Sequence, residues 1–166
     1  LSAALLLLSL GAAGAQQLPW QKGASTQAAG PAEASAPVVY EYPEQVSLSV
    51  GHVQDVDLHF RIRPGLHINS HKPTDDSFIR TELIVQEPPG IDVETVTFPD
   101  GQPYATKAFP GHTLSVYTGE VVLHARILAR KPGEQMLNAA LRYQACDIDL
   151  CFPPKKADVA LDLIAR

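Results

Sequence analysis

Cysteine is scarce: the 166-residue chain carries only Cys146 and Cys151, an even count that leaves no orphan thiol. Their spacing is not the C-x2-C of zinc sites. The neighbouring Asp147 and Asp149 are hard oxygen ligands, poorly suited to a soft thiolate centre. Basic clusters are missing as well. Thirteen Lys and Arg stand against eighteen Asp and Glu, for a net charge of −5, with no run of positive residues, and this argues against nucleic-acid binding. No stretch reaches the ~18 consecutive apolar residues of a membrane-spanning helix, so stable membrane insertion is not expected. No long segment favours a period of 3.6 residues, and no internal repeat is visible.

What is present begins with Leu1-Ser-Ala-Ala-Leu-Leu-Leu-Leu-Ser-Leu10 and ends at Ala13-Gly14-Ala15, a short apolar core before a small-residue cleavage pattern. Residues 1–15 are therefore expected to be a secretory signal peptide, with its basic n-region and initiator Met lying upstream of Leu1. Export places the cysteines in a compartment where disulfides persist. Residues 16–37 are rich in Ala, Gln, Gly, Ser and Pro and read as a flexible leader, with Trp20 as its one large aromatic. The folded domain is expected over 38–166.

Beyond Val38-Val39-Tyr40 the hydrophobic pattern has period two. Val56, Leu58, Phe60 and Ile62 alternate with Asp55, Asp57, His59, Arg61 and Arg63, the pattern of a half-buried strand. The alternation recurs over 46–50, at Val121, Leu123, Ala125 and Ile127, from Leu137 to Tyr143, and at Val159, Leu161 and Leu163. Pro64-Gly65, Glu87-Pro88-Pro89-Gly90, Pro99-Asp100-Gly101 and Lys131-Pro132-Gly133 supply turn chemistry between these runs. About eight short strands with regular turns predict an all-β fold, an immunoglobulin-like antiparallel β-sandwich.

Both cysteines fall in one run, Tyr143-Gln144-Ala145-Cys146-Asp147-Ile148-Asp149-Leu150-Cys151-Phe152-Pro153-Pro154. Four intervening residues are few enough for the tip of a hairpin, which sets the two side chains across from each other at disulfide distance. Closing so small a loop stabilises by only about 2 kcal/mol, against about 4 for a bond between strands ~60 residues apart. A bond meant only as a staple is poorly placed here. Three readings remain open: a bond that opens and closes, a structural staple in a secreted protein-binding domain, and Cu(I) or other metal capture with His67 or His71. If the alternation of 137–143 continues, Cys146 leaves the core side in an exposed motif. Pro153 and Pro154 end strand pairing after Cys151. The acidic neighbours and the lack of a helix N-terminus should raise thiol pKa, giving a slow dithiol that reacts when docked.

The segments Tyr143–Cys146 and Cys151–Pro154 resemble the active-site hairpin of the N-terminal periplasmic domain family of DsbD, the thiol:disulfide interchange protein. Gly65-Leu66-His67-Ile68-Asn69-Ser70-His71-Lys72-Pro73 and Ile79-Arg80-Thr81-Glu82-Leu83 are similar to a second conserved stretch of that family, and the likeness runs over roughly residues 38–166. The resemblance implies an oxidoreductase module without cofactor or metal. It would accept electrons from a membrane dithiol and pass them to thioredoxin-fold periplasmic proteins. Cys151 would form the mixed disulfide and Cys146 would resolve it. His67 and Asn69 would lie beside the pair, where family members can carry tyrosines, with His67 placed to hold the exchanged proton near neutral pH. Phe109, in the long 101–111 loop, would shield the bond as a cap. The chain departs from the pattern in having four rather than five residues between its cysteines, and Lys107 and Ala108 where acidic residues precede the cap phenylalanine.

Overall fold

The computed structural model describes residues 36–41 and 45–166. The expected signal peptide and nearly all of the leader, Trp20 included, lie outside the described residues. Twelve strands are present: β1 (Val38–Tyr40), β2 (Gln45–Leu48), β3 (Val53–Ile62), β4 (His67–Asn69), β5 (Glu82–Gln86), β6 (Ile91–Thr97), β7 (Gln102–Ala105), β8 (Thr113–Tyr117), β9 (Glu120–Ala129), β10 (Gly133–Tyr143), β11 (Ala145–Cys146) and β12 (Lys155–Ala165). There are no helices among the described residues. The fold is the all-β, immunoglobulin-like sandwich that the alternation predicts.

The two large sheets run β1-β3-β9-β6 and β2-β12-β10-β5. Their long members are the alternating runs of the sequence. Val56, Leu58, Phe60 and Ile62 of β3, Val121 to Ala129 at alternate positions of β9, Leu137 to Tyr143 of β10 and Ala157 to Ala165 of β12 all join one buried cluster. Every second residue along these runs therefore leaves water for the same core, which is why period two persists over seven to nine residues. Pairing is antiparallel except at one place, where edge strand β2 runs parallel to β12 with Val46 opposite Leu163.

A third sheet, β11-β4-β8-β7, was not expected. It is assembled from strands of two to five residues, too short for periodicity to reveal. The chain enters it three times, at β4, at β7–β8 and at β11. Pro64-Gly65, with Gly65 at φ 83°, carries the end of β3 into β4. Gln144, outside any strand, separates β10 in the second large sheet from β11 in the third. The Gln144 side-chain amide donates to the Phe152 carbonyl at 3.1 Å, so the residue that breaks the ladder also ties down the exit of the next hairpin.

Candidate functional site

The hairpin 145–152 follows from three local features. Cys146 and Cys151 form an antiparallel bridge, and the Phe152 amide donates to the Ala145 carbonyl at 2.8 Å. The Asp147 amide then donates to the Leu150 carbonyl at 2.9 Å, closing a tight turn over Ile148-Asp149. Finally, the Asp147 carboxylate accepts from the amides of Asp149 and Leu150, both at 2.8 Å, the local side-chain capping for which Asp is favoured in turns. These two amides hold the Asp147 carboxyl below the usual carboxylate range, with a smaller contribution from nearby His67. Pro153 and Pro154 follow with no amide to donate.

The hairpin places the cysteines in a disulfide, with Cα atoms 3.9 Å apart. The two sulfur-bearing residues differ in access. Cys151 is half-buried, whereas Cys146 is 1% exposed. This corrects the expectation of an exposed motif. Cys146 stands apart from the sandwich's apolar cluster, yet it does not face water, because β11 pairs with β4 and sets Cys146 opposite His67. Ala145 still joins the sandwich core, so the two faces keep alternating, and both residues are buried because the face that carries Cys146 is covered as well.

His67 is 1% exposed. Its ring lies against that of Tyr104 on β7, centroids 4.4 Å apart, and neither ring nitrogen has a hydrogen-bond partner. Burial pushes its pKa below the ordinary histidine value, opposed in part by the Asp147 carboxylate. Asn69 sits two residues along β4, also buried, but its amide donates to the Ile79 carbonyl at 3.1 Å. Thr81 answers from the same connection, its hydroxyl donating to the Asn69 carbonyl at 2.6 Å. Asn69 thus fastens the 70–81 connection to β4, while His67 is the residue set across from the disulfide.

Four of the eleven residues of the loop expected over 101–111 form strand β7, and the irregular part is 106–112. Gly101 precedes it at a point of close approach, where a Cβ would overlap Ser115 Oγ and Ser70 Cβ. The loop is clipped to the hairpin tip: the Thr106 hydroxyl at 2.7 Å and the Lys107 amide at 3.1 Å both donate to the Ile148 carbonyl, and Thr106 Oγ1 accepts from the Ala108 amide at 3.2 Å. Phe109 meets Phe78 edge-on, ring centroids 4.9 Å apart, so the 106–112 loop also rests on the 70–81 connection. Tyr104 and Thr106 were not singled out from sequence. The only available signal was two aromatics in one long loop, because the partners lie ~40 residues away.

Ile148 and Leu150, 40% and 50% exposed, present apolar surface on the same hairpin as the partly buried Cys151. Among the described residues no group of three or more His, Cys, Asp or Glu is placed to hold a metal ion. His71, weighed beside His67 as a metal ligand, is stacked on Phe98 at 4.1 Å and bonded through Nδ1 to the Thr81 carbonyl. No helix among the described residues is long and apolar enough to cross a membrane.

Comparison with solved structures finds the DsbD N-terminal domain of Neisseria meningitidis in its reduced form, at 17% identity over 64% of this chain and 74% of that one, with a TM-score of 0.43. It also finds the N-terminal periplasmic domain of ScsB from Proteus mirabilis, at 18% identity over 75% of this chain and 44% of that one, TM-score 0.48. A third is the Neisseria meningitidis complex between the DsbD and PilB N-terminal domains, at 18% identity over 81% and 87%, TM-score 0.45. No curated protein matches the chain. The family model of the thiol:disulfide interchange protein DsbD, N-terminal, matches residues 35–163, which span the sandwich and the disulfide hairpin together, and the chain belongs to that family.

Proposed function

We propose that this domain is a periplasmic thiol–disulfide exchange module that takes two electrons from a membrane dithiol and delivers them to thioredoxin-fold proteins through Cys146 and Cys151. The observation that carries the reading is the asymmetry of the pair. One sulfur belongs to a residue closed off from water and the other to a half-exposed residue at a hairpin tip. Exchange proceeds by attack of a thiolate on an accessible disulfide sulfur, so an incoming thiol meets Cys151 and leaves Cys146 as the resolving group. Exposed Ile148 and Leu150 give an arriving protein an apolar seat beside that sulfur. The cap loop, held by Thr106 and carrying Phe109, would keep small thiols away until a partner displaces it.

The domain boundaries belong to the same proposal: a signal peptide over 1–15, a leader over 16–37 and the exchange domain over 38–166. Trapping tests the function. Cys146→Ser should accumulate a mixed disulfide through Cys151 with a thioredoxin-like protein in a periplasmic extract. Capture only by Cys151→Ser would reverse the roles. Capture by neither, together with a reduction potential below about −300 mV, would mark the bond as a structural staple.

A further inference from the structure

We infer that His67 is the internal proton acceptor for Cys146, taking the thiol proton as Cys146 turns on the mixed disulfide at Cys151; this rests on the exchange reading above. Four observations converge. His67 is the cross-strand partner of Cys146, and directly opposed residues of an antiparallel pair carry Cβ atoms about 4.5–5.5 Å apart on one face. Both its ring nitrogens are buried without a hydrogen-bond partner, an arrangement that costs free energy and that a structural histidine avoids. The Tyr104 ring lies against it and helps fix its orientation. The Asp147 carboxylate, held ionised by the turn amides, is the nearby charge that would stabilise an imidazolium.

The titratable groups around the ring are Cys146 on β11, Asp147 in the hairpin and Tyr104 on β7. On the other edge of β4, β8 sets Tyr117 opposite Ile68. The Tyr117 hydroxyl donates to the Pro99 carbonyl and accepts from the His71 amide. Burial keeps His67 neutral near pH 7, which is the form that accepts a proton.

The step balances as follows. In the mixed disulfide Cys151 is bonded to the partner's sulfur and Cys146 is a thiol. The Cys146 proton moves to a His67 ring nitrogen, and the thiolate attacks Cys151 Sγ. The Cys146–Cys151 bond forms and the Cys151–partner bond breaks, with the electron pair leaving on the partner thiolate. The imidazolium proton then passes to that thiolate, directly or through solvent. The domain is oxidised by two electrons and the partner is reduced.

An aromatic disulfide reagent that releases a coloured thiolate reads the two stages separately when mixed in equal amount with the reduced full chain. The first release reports mixed-disulfide formation and the second reports closure by Cys146. With an internal acceptor, the closure rate is nearly flat between about pH 6.5 and about pH 8.5, since thiol plus imidazole and thiolate plus imidazolium are one protonation state. Without it, closure rises about tenfold per pH unit over the same range. His67→Gln should show that steep profile and close at least about tenfold more slowly than the wild type near pH 7. A steep profile in the wild type overturns the inference, and that measurement stands even if His67→Gln fails to fold. Identical closure in a folded His67→Gln chain overturns it too. No first release at all refutes the exchange reading itself, and the proton acceptor with it, whereas normal first release with unassisted closure refutes only the role of His67.

Discussion

The clip between the 106–112 loop and the hairpin can be weakened by one atom. Thr106 is 8% exposed, and its hydroxyl both donates to the Ile148 carbonyl and accepts from the Ala108 amide. Thr106→Val keeps the side-chain volume and removes both hydrogen bonds. The Ile148 carbonyl retains its bond from the Lys107 amide, so the loss falls on one strong contact at 2.7 Å and one weaker contact at 3.2 Å. At a net ~0.5–1.5 kcal/mol per neutral hydrogen bond, the closed loop is destabilised by about 1–2 kcal/mol. A shift of 1.4 kcal/mol is tenfold, so the open fraction should grow by about 5- to 30-fold. If small thiols reach the disulfide only through the open loop, reduction by dithiothreitol should accelerate by the same factor. The same loss counts against the folded state, so the melting temperature should also fall by a few degrees. Stopped-flow reduction, followed by alkylation of the freed thiols, measures the rate. An acceleration of less than about twofold, with the loop hydrogen bonds shown to be lost, would mean that the 106–112 segment does not guard the bond. Phe109→Ala should act in the same direction by removing the edge-on contact with Phe78.

Reducing the disulfide should leave the sandwich folded and cost about 2 kcal/mol in urea titrations, as expected for a closed loop of roughly 6 residues. A loss above about 5 kcal/mol would assign the bond a structural role. His67 has a folded-state pKa below its unfolded value, so the unfolded chain binds more protons and stability rises with pH. Its contribution is fully present above about pH 6.5 and is lost as pH falls through the lowered folded value, and His67→Gln should flatten that decline. The Asp147 carboxyl acts with the same sign further down, holding the hairpin turn above about pH 4 and releasing it in stronger acid. Gly101→Ala should destabilise by about 1–3 kcal/mol by thermal melting, because the new Cβ overlaps Ser115 and Ser70 where β7 begins.

The sandwich was legible because β3, β9, β10 and β12 each present one face to a single core over seven to nine residues, and nothing interrupts the alternation within those runs. β6 was not, since its register shifts between Val93 and Thr95 and the period is lost there. The same limit governs the site. Cysteine spacing alone announces the 145–152 hairpin, because its capping by Asp147 is a contact between residues two and three apart. The contacts around it are not local: Thr106 reaches Ile148 across 42 positions, and Tyr104 meets His67 through a sheet of very short strands. The misjudged exposure of Cys146 has the same origin. Ala145 still serves the sandwich core, while Cys146 stands apart from that core and is buried all the same. The chain leaves β10 at Gln144 and starts β11 in another sheet, where Cys146 lies opposite His67, a partner far away in sequence. Alternation tells which residues face the core but not whether the opposite face is covered, and that is where the reading from sequence stops.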